Sequence, residues 1–92
     1  MIKVSDTVAI VNERGLHARA SAKFVNLVTE RYEHLDIKVR KDGAEAAGAS
    51  ILSLMMLGAA KGDTIEIVVS GEGAEAALEA LTELVRTGFG EK

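Results

Sequence analysis

The chain has no cysteine, no proline and no tryptophan, and its only aromatic side chains are Phe24, Tyr32 and Phe89. Without cysteine there is no disulfide scaffold and no thiolate metal site. That fits a reducing compartment, and a cytoplasmic protein is expected. Without proline, low-complexity sequence or internal repeats, nothing marks a linker or a second module. Three aromatics do not make a platform for stacking bases, and a net charge of −3 gives no general attraction to nucleic acid. No apolar run reaches the ~18 residues of a membrane span. The opening Met1-Ile2-Lys3-Val4-Ser5-Asp6 lacks the apolar core of a signal peptide. There is no P-loop and no acidic cluster of the magnesium-binding kind, so the chain is not expected to be a kinase by itself. Its two histidines and scattered carboxylates lack the tight spacing of a zinc site. No metal and no cofactor is therefore expected.

What is present is an aliphatic chain of 92 residues, 48% of them apolar. That length supports one domain with one modest core, and it is too short for a deep cleft around a substrate. A single domain over residues 1–92, acting as a monomer, is expected.

Hydrophobic periodicity divides the chain into alternating elements separated by glycines. Val4 to Val11 predicts a strand, and Asn12-Glu13-Arg14-Gly15 a turn. From Ala18 to about Tyr32 the period becomes helical, with Ala18, Ala22, Val25, Val28 and Tyr32 on one face. Leu35, Ile37 and Val39 alternate with charged residues, as in a half-buried strand. Asp42-Gly43 signals a hairpin, with the return strand at Ala44 to Ala47. Ser50 to about Leu57 predicts a short helix stopped by Gly58, and Thr64 to Ser70 a strand. Ala74 to about Thr87 predicts an amphipathic helix with Ala74, Ala77, Leu78, Leu81, Leu84 and Val85 inward. The order is β-α-β-β-α-β-α. The economical packing is an α+β two-layer open-faced sandwich: a four-stranded antiparallel sheet with three helices on one face, the other face polar and wet.

The chemistry concentrates where the first strand hands over to the first helix. A helix entrance exposes unpaired N–H groups and a partial positive charge, a ready place for phosphate. His17 stands there, Gly15 permits a close approach, and no Ser, Thr, Asp or Asn at 15–18 consumes those donors as an N-cap. Imidazole is substantially neutral and nucleophilic near neutral pH. Arg19 adds a permanently charged fork for phosphate oxygens. By local pattern alone His17 would read as a surface histidine near a cap. His34, with no preceding glycine and no arginine two residues on, reads as an ordinary surface residue.

Gly15-Leu16-His17-Ala18-Arg19 resembles the active-site signature of the HPr family, the phosphocarriers of the bacterial phosphotransferase system. The likeness covers nearly the whole chain and includes a second motif, Gly48-Ala49-Ser50-Ile51-Leu52-Ser53-Leu54-Met55-Met56-Leu57. It implies that enzyme I, charged from phosphoenolpyruvate, phosphorylates Nδ1 of His17, and that A-type acceptor proteins receive the group. It also implies that Asn12, Gly15, Ala18 and Ala20 belong to the active-site loop with Arg19. The family usually has proline where this chain has Ala20, which predicts a less rigid entrance with one more N–H. A second departure from the family is the connection between the first helix and the hairpin, about two residues longer than usual, which leaves the helix end near Arg31-Tyr32 open. Within the family both the sugar-uptake and the nitrogen-related branch stay open, and the stretch from Leu54-Met55-Met56-Leu57 to Ala60-Lys61-Gly62 looks somewhat like the nitrogen-related one.

Ser50 precedes an apolar run and suits an N-cap. By the resemblance it is also the serine that an HPr kinase/phosphatase modifies. The run Ile51 to Leu57 has too many apolar residues for one buried face. Leu54 and Leu57 are expected inside, while Ile51, Leu52 and Met55 form a partner-docking face, with Leu27 at most extending it. The alternative is a regulatory binding module of the same fold, controlled through Ser50 and without transfer on His17.

Overall fold

The computed structural model describes residues 2–91. Seven regular elements follow in the expected order: β1 (Lys3–Ala9), α1 (Ala18–Arg31), β2 (Asp36–Lys41), β3 (Ala44–Ala47), α2 (Ile51–Met56), β4 (Thr64–Ser70) and α3 (Ala74–Arg86), closed by a 3₁₀ turn at Gly88–Gly90. The strands form one sheet in the order β1-β4-β2-β3, every neighbour antiparallel.

Register follows the apolar alternation, because slipping one residue would turn every side chain to the opposite face. Val4, Val69 and Ile37 align across three strands, and Ile67, Val39 and Ala46 form the adjacent row. The helices cover this face, with Phe24, Val25 and Val28 of α1, Leu54 of α2, and Ala77, Leu81 and Val85 of α3 in one core cluster. The β2–β3 hairpin turns at Asp42 and Gly43 with φ of 50° and 84°. Both central residues are left-handed, the form that matches strand twist in a two-residue turn.

Some expected boundaries and faces differ. β1 ends at Ala9, not Val11. Ile10 leaves the ladder to bond with the loop before β4, donating N–H to Asp63 O at 2.8 Å and accepting from Gly62 N at 2.8 Å. Val11 is left exposed. The inward stripe of α1 is Ala20, Ser21, Phe24, Val25 and Val28; Ala18 is exposed, and Ala22 and Tyr32 are half-buried. α3 buries Thr82, whose hydroxyl donates to Glu79 O at 3.0 Å, while Leu78 and Leu84 are only partly covered. The outer sheet face is mostly polar, with one buried valine. Val68, flanked by Ser5 and Lys38, is buried there. It shares a shallow depression with Lys3, Lys38, Arg40 and Glu45, whose stems shield it while their charged ends reach water.

Candidate functional site

The loop from Ile10 to His17 is built around one close backbone approach. Gly15 N donates to Asn12 O at 3.2 Å, closing the turn. Leu16 N then donates to Ala59 O at 3.0 Å, tying the loop to the segment after α2. Gly15 sits at φ +62°, and a Cβ there would collide with the carbonyl oxygen of Ala59. Glycine is needed at this position for both reasons, left-handed φ and close packing. Leu16 is buried beneath the loop.

His17 is the N-cap of α1, with φ −75° and ψ −178°. Its carbonyl accepts from Ser21 N at 2.9 Å, but its side chain makes no capping bond. The N–H groups of Ala18, Arg19 and Ala20 have no protein acceptor among the described residues. These are the orphan donors of a first helical turn, left free because no capping side chain takes them. Ala20 is buried, whereas Arg19 is exposed and pairs with no carboxylate among the described residues. Ser21 is fully buried and donates its hydroxyl to Leu16 O at 3.2 Å.

A residue not foreseen from the sequence completes the site. Glu91 Oε2 bonds Nε2 of His17, and Asn12 Nδ2 donates to Glu91 Oε1 at 3.1 Å. Asn12 Nδ2 also donates to Gly15 O at 2.8 Å, so one buried amide holds both the turn and the carboxylate. The hydrogen bond with His17 holds the Glu91 carboxyl below the usual carboxylate range, burial opposes it, and the Asn12 bond and Lys23 add to the lowering. With Glu91 in place, the His17 side chain is only 16% exposed. The sole sequence signal for this contact is Gly88-Phe89-Gly90, a glycine-flanked aromatic that predicts a packed turn but not what its next residue touches.

Ser50 is the N-cap of α2, and its hydroxyl oxygen accepts from Ser53 N at 3.1 Å. Leu54 and Leu57 are buried. Ile51, Leu52 and Met55 are exposed by 39%, 67% and 40%, and Met56, absent from the expected docking set, by 77%. The segment that follows this helix is tied to the His17 loop by the Leu16–Ala59 bond. Leu27 is partly buried against the core, and His34 is exposed. No cluster of potential metal ligands occurs among the described residues.

This arrangement can hold a phosphoryl group on an imidazole at a helix entrance. Comparison with known proteins agrees. The family described as "PTS HPr component phosphorylation site" matches residues 4–87. Phosphocarrier protein HPr of Neisseria meningitidis is 40% identical over 88 residues, which cover 96% of this chain and 97% of that protein. Phosphocarrier protein NPr of Escherichia coli is 38% identical over 89 residues, covering 96% and 97%. The crystal structure of HPr-C-His from Thermoanaerobacter tengcongensis superposes with a TM-score of 0.86 at 35% identity, covering 100% of this chain and 99% of that one. On sequence, fold and loop geometry together, the chain belongs to the HPr family of phosphocarriers of the phosphotransferase system.

Proposed function

We propose that this chain takes a phosphoryl group from phosphorylated enzyme I onto Nδ1 of His17 and passes it to A-type acceptor proteins. One observation carries the proposal: His17 is an N-cap whose side chain leaves the first-turn N–H groups free. A phosphoryl group on the ring brings negative charge to the positive end of α1, where those donors favour it. Nε2 is already engaged by Glu91, which leaves Nδ1 as the unengaged nitrogen. Arg19, two residues along and without a carboxylate partner among the described residues, supplies a charged fork for the same oxygens. The stabilisation stays modest because two of the three donors, on Ala18 and Arg19, belong to exposed residues, as a carrier that must release its cargo requires.

In this reading the protein acts as a cytoplasmic monomer, and its partners dock on Ile51, Leu52 and Met55, with Met56 adjoining. Ser50 is the site for an HPr kinase/phosphatase. A phosphate on its hydroxyl oxygen would sit at the α2 entrance and add charge beside the docking face. Ala18 and Ala20 line the entrance, with Ala20 contributing an N–H. The neighbouring genes for enzyme I and A-type acceptors decide between the sugar-uptake and nitrogen-related branches.

The test is incubation with enzyme I, magnesium and phosphoenolpyruvate. The expected result is acid-labile phosphate on His17 and none in His17→Ala. Full incorporation into His17→Ala would refute the assignment. No incorporation into the unaltered chain, with phosphate entering only at Ser50 from a kinase and ATP, would favour the purely regulatory module.

A further inference from the structure

We infer that Glu91 is a positioning residue for His17, held in turn by Asn12, and that it determines which ring nitrogen takes the phosphoryl group. The inference rests on the phosphoryl-carrier reading and names a residue that reading did not contain.

Three observations carry it. The first is how the chain reaches the site. Gly88, Phe89 and Gly90 all have positive φ, at 68°, 57° and 74°. Phe89 is the exception among them, a bulky residue in the left-handed region, which costs about 1–2 kcal/mol. Its ring is fully buried, and its carbonyl accepts from Lys23 Nζ at 2.7 Å. Glu91 N donates to Gly88 O at 3.0 Å, completing the turn. A strained turn, pinned at three points, sets Glu91 beside His17, from which it is 74 residues distant in the chain.

The second observation is Asn12. Both partners of its Nδ2, Gly15 O and Glu91 Oε1, are acceptors, so the amide orientation is fixed by its surroundings. Its Oδ1 is buried with no partner among the described residues. An unmatched buried acceptor costs about 1–3 kcal/mol. A side chain kept at that cost is held for what its nitrogen does, and here the nitrogen aims a carboxylate at an imidazole.

The third is proton bookkeeping. The Glu91 carboxyl is ionised at neutral pH. An ionised carboxylate only accepts hydrogen bonds, so Nε2 of His17 carries the proton. In the neutral ring the lone pair is then on Nδ1. Transfer proceeds as that lone pair forms a bond to the donor's phosphorus. The donor's own bond to phosphorus breaks, and its electron pair stays with the donor. The proton on Nε2 does not move. The product ring, with a proton on Nε2 and the phosphoryl group on Nδ1, is positively charged, and the Glu91 carboxylate faces that charge. When the group leaves for an acceptor, the electron pair returns to Nδ1 and the proton again stays in place. Orienting a histidine through its far nitrogen is a recurrent role for a carboxylate.

The experiment uses the full chain, Glu91→Ala and Glu91→Gln. The His17 ring is followed by ¹⁵N-resolved proton NMR, and transfer by single-turnover phosphorylation from phosphorylated enzyme I. The unaltered protein should show a downfield Nε2–H resonance protected from exchange, and phosphate on Nδ1. Glu91→Ala should lose that resonance and accept phosphate about tenfold or more slowly, while the chain stays folded. Glu91→Gln keeps an acceptor oxygen without the charge and should recover part of both. A protected resonance that persists in Glu91→Ala overturns the inference. So does an unchanged or faster rate, or phosphate on Nε2 in the unaltered chain. If the unaltered chain takes no phosphate at all, the carrier reading fails, and the ring resonance alone then decides whether Glu91 holds the imidazole.

Discussion

Replacing Gly15 with alanine should destabilise the fold by roughly 2–4 kcal/mol, and the structure supplies a matched control in Gly58. Gly15 and Gly58 have nearly the same φ, 62° and 65°. Alanine in the left-handed region costs roughly 1–2 kcal/mol at either site. The entropy that alanine removes from the unfolded chain is the same for both. The surroundings differ. A Cβ on Gly58 meets nothing within 4 Å, whereas one on Gly15 strikes Ala59 O and lies 2.9 Å from Ala60 Cα. Both obstacles are backbone, so the loop must move rather than a side chain. Movement breaks the bond from Leu16 N to Ala59 O, worth about 0.5–1.5 kcal/mol, and loosens the packing of Leu16. Gly15→Ala should therefore lose at least about 1 kcal/mol more than Gly58→Ala, a further fall in melting temperature of roughly 4–8 °C. Paired urea and thermal denaturation measures the difference. Phosphorylation by enzyme I should slow in Gly15→Ala, since His17 is two residues from the displaced turn, and hold in Gly58→Ala. Equal stability losses in the two variants would show that no close approach exists at Gly15, and the account of the loop would be wrong.

Arg19→Ala should leave stability within about 0.5 kcal/mol, because the residue is exposed and pairs with no carboxylate among the described residues, yet slow transfer about 10–100-fold through loss of a charge-assisted bond to phosphate; stopped-flow phosphorylation alongside thermal melting separates the two. Ser50→Ala should cost about 1 kcal/mol by losing the bond from Ser53 N, read by urea denaturation, and should abolish any kinase-dependent phosphate. Leu54→Ala should cost roughly 2–5 kcal/mol as a buried cavity, whereas Leu52→Ala should be near neutral in stability and should weaken binding to enzyme I in calorimetry. The Glu91 carboxyl should titrate below the ordinary glutamate value of 4.5. Its folded value is depressed, so the hold on the C-terminal turn is fully present above 4.5 and is lost as pH falls through the folded value. Carboxyl-detected NMR should show this midpoint, and amide exchange at 88–91 should quicken over the same window.

The elements that local rules govern were legible. Asp42-Gly43 announced its own turn, the alternation around Ile37 and Val39 placed β2, and Ser50 marked the start of α2. The helix-entrance position of His17 was legible too, from the glycine before it and the arginine after it; its assignment as the phosphorylated residue came from the family resemblance, since the local pattern alone reads as a surface histidine. The misjudged positions are those whose surroundings come from elsewhere. Val11 lost its strand because Ile10 found partners at Gly62 and Asp63. Val68 was buried on the wet face by stems from three strands, those of β1, β2 and β3. Thr82 went inside because its hydroxyl could bond back to Glu79.

Gly15 and Gly58 make the same point within one residue type. Each marks a left-handed bend, and the chain around each predicts that much. What passes within contact distance of Gly15 is Ala59, brought there by packing α2 against α1. Glu91 is the extreme case. Nothing near residue 17 announces it, and the turn that delivers it depends on Phe89 being buried and on Lys23 holding the Phe89 carbonyl. On the proposed reading, the nucleophile is therefore a local feature of the sequence, while the group that orients it is a tertiary one. Substitutions near residue 17 and substitutions in the last few residues should consequently converge on one phenotype, slowed transfer on an intact fold, despite lying at opposite ends of the chain.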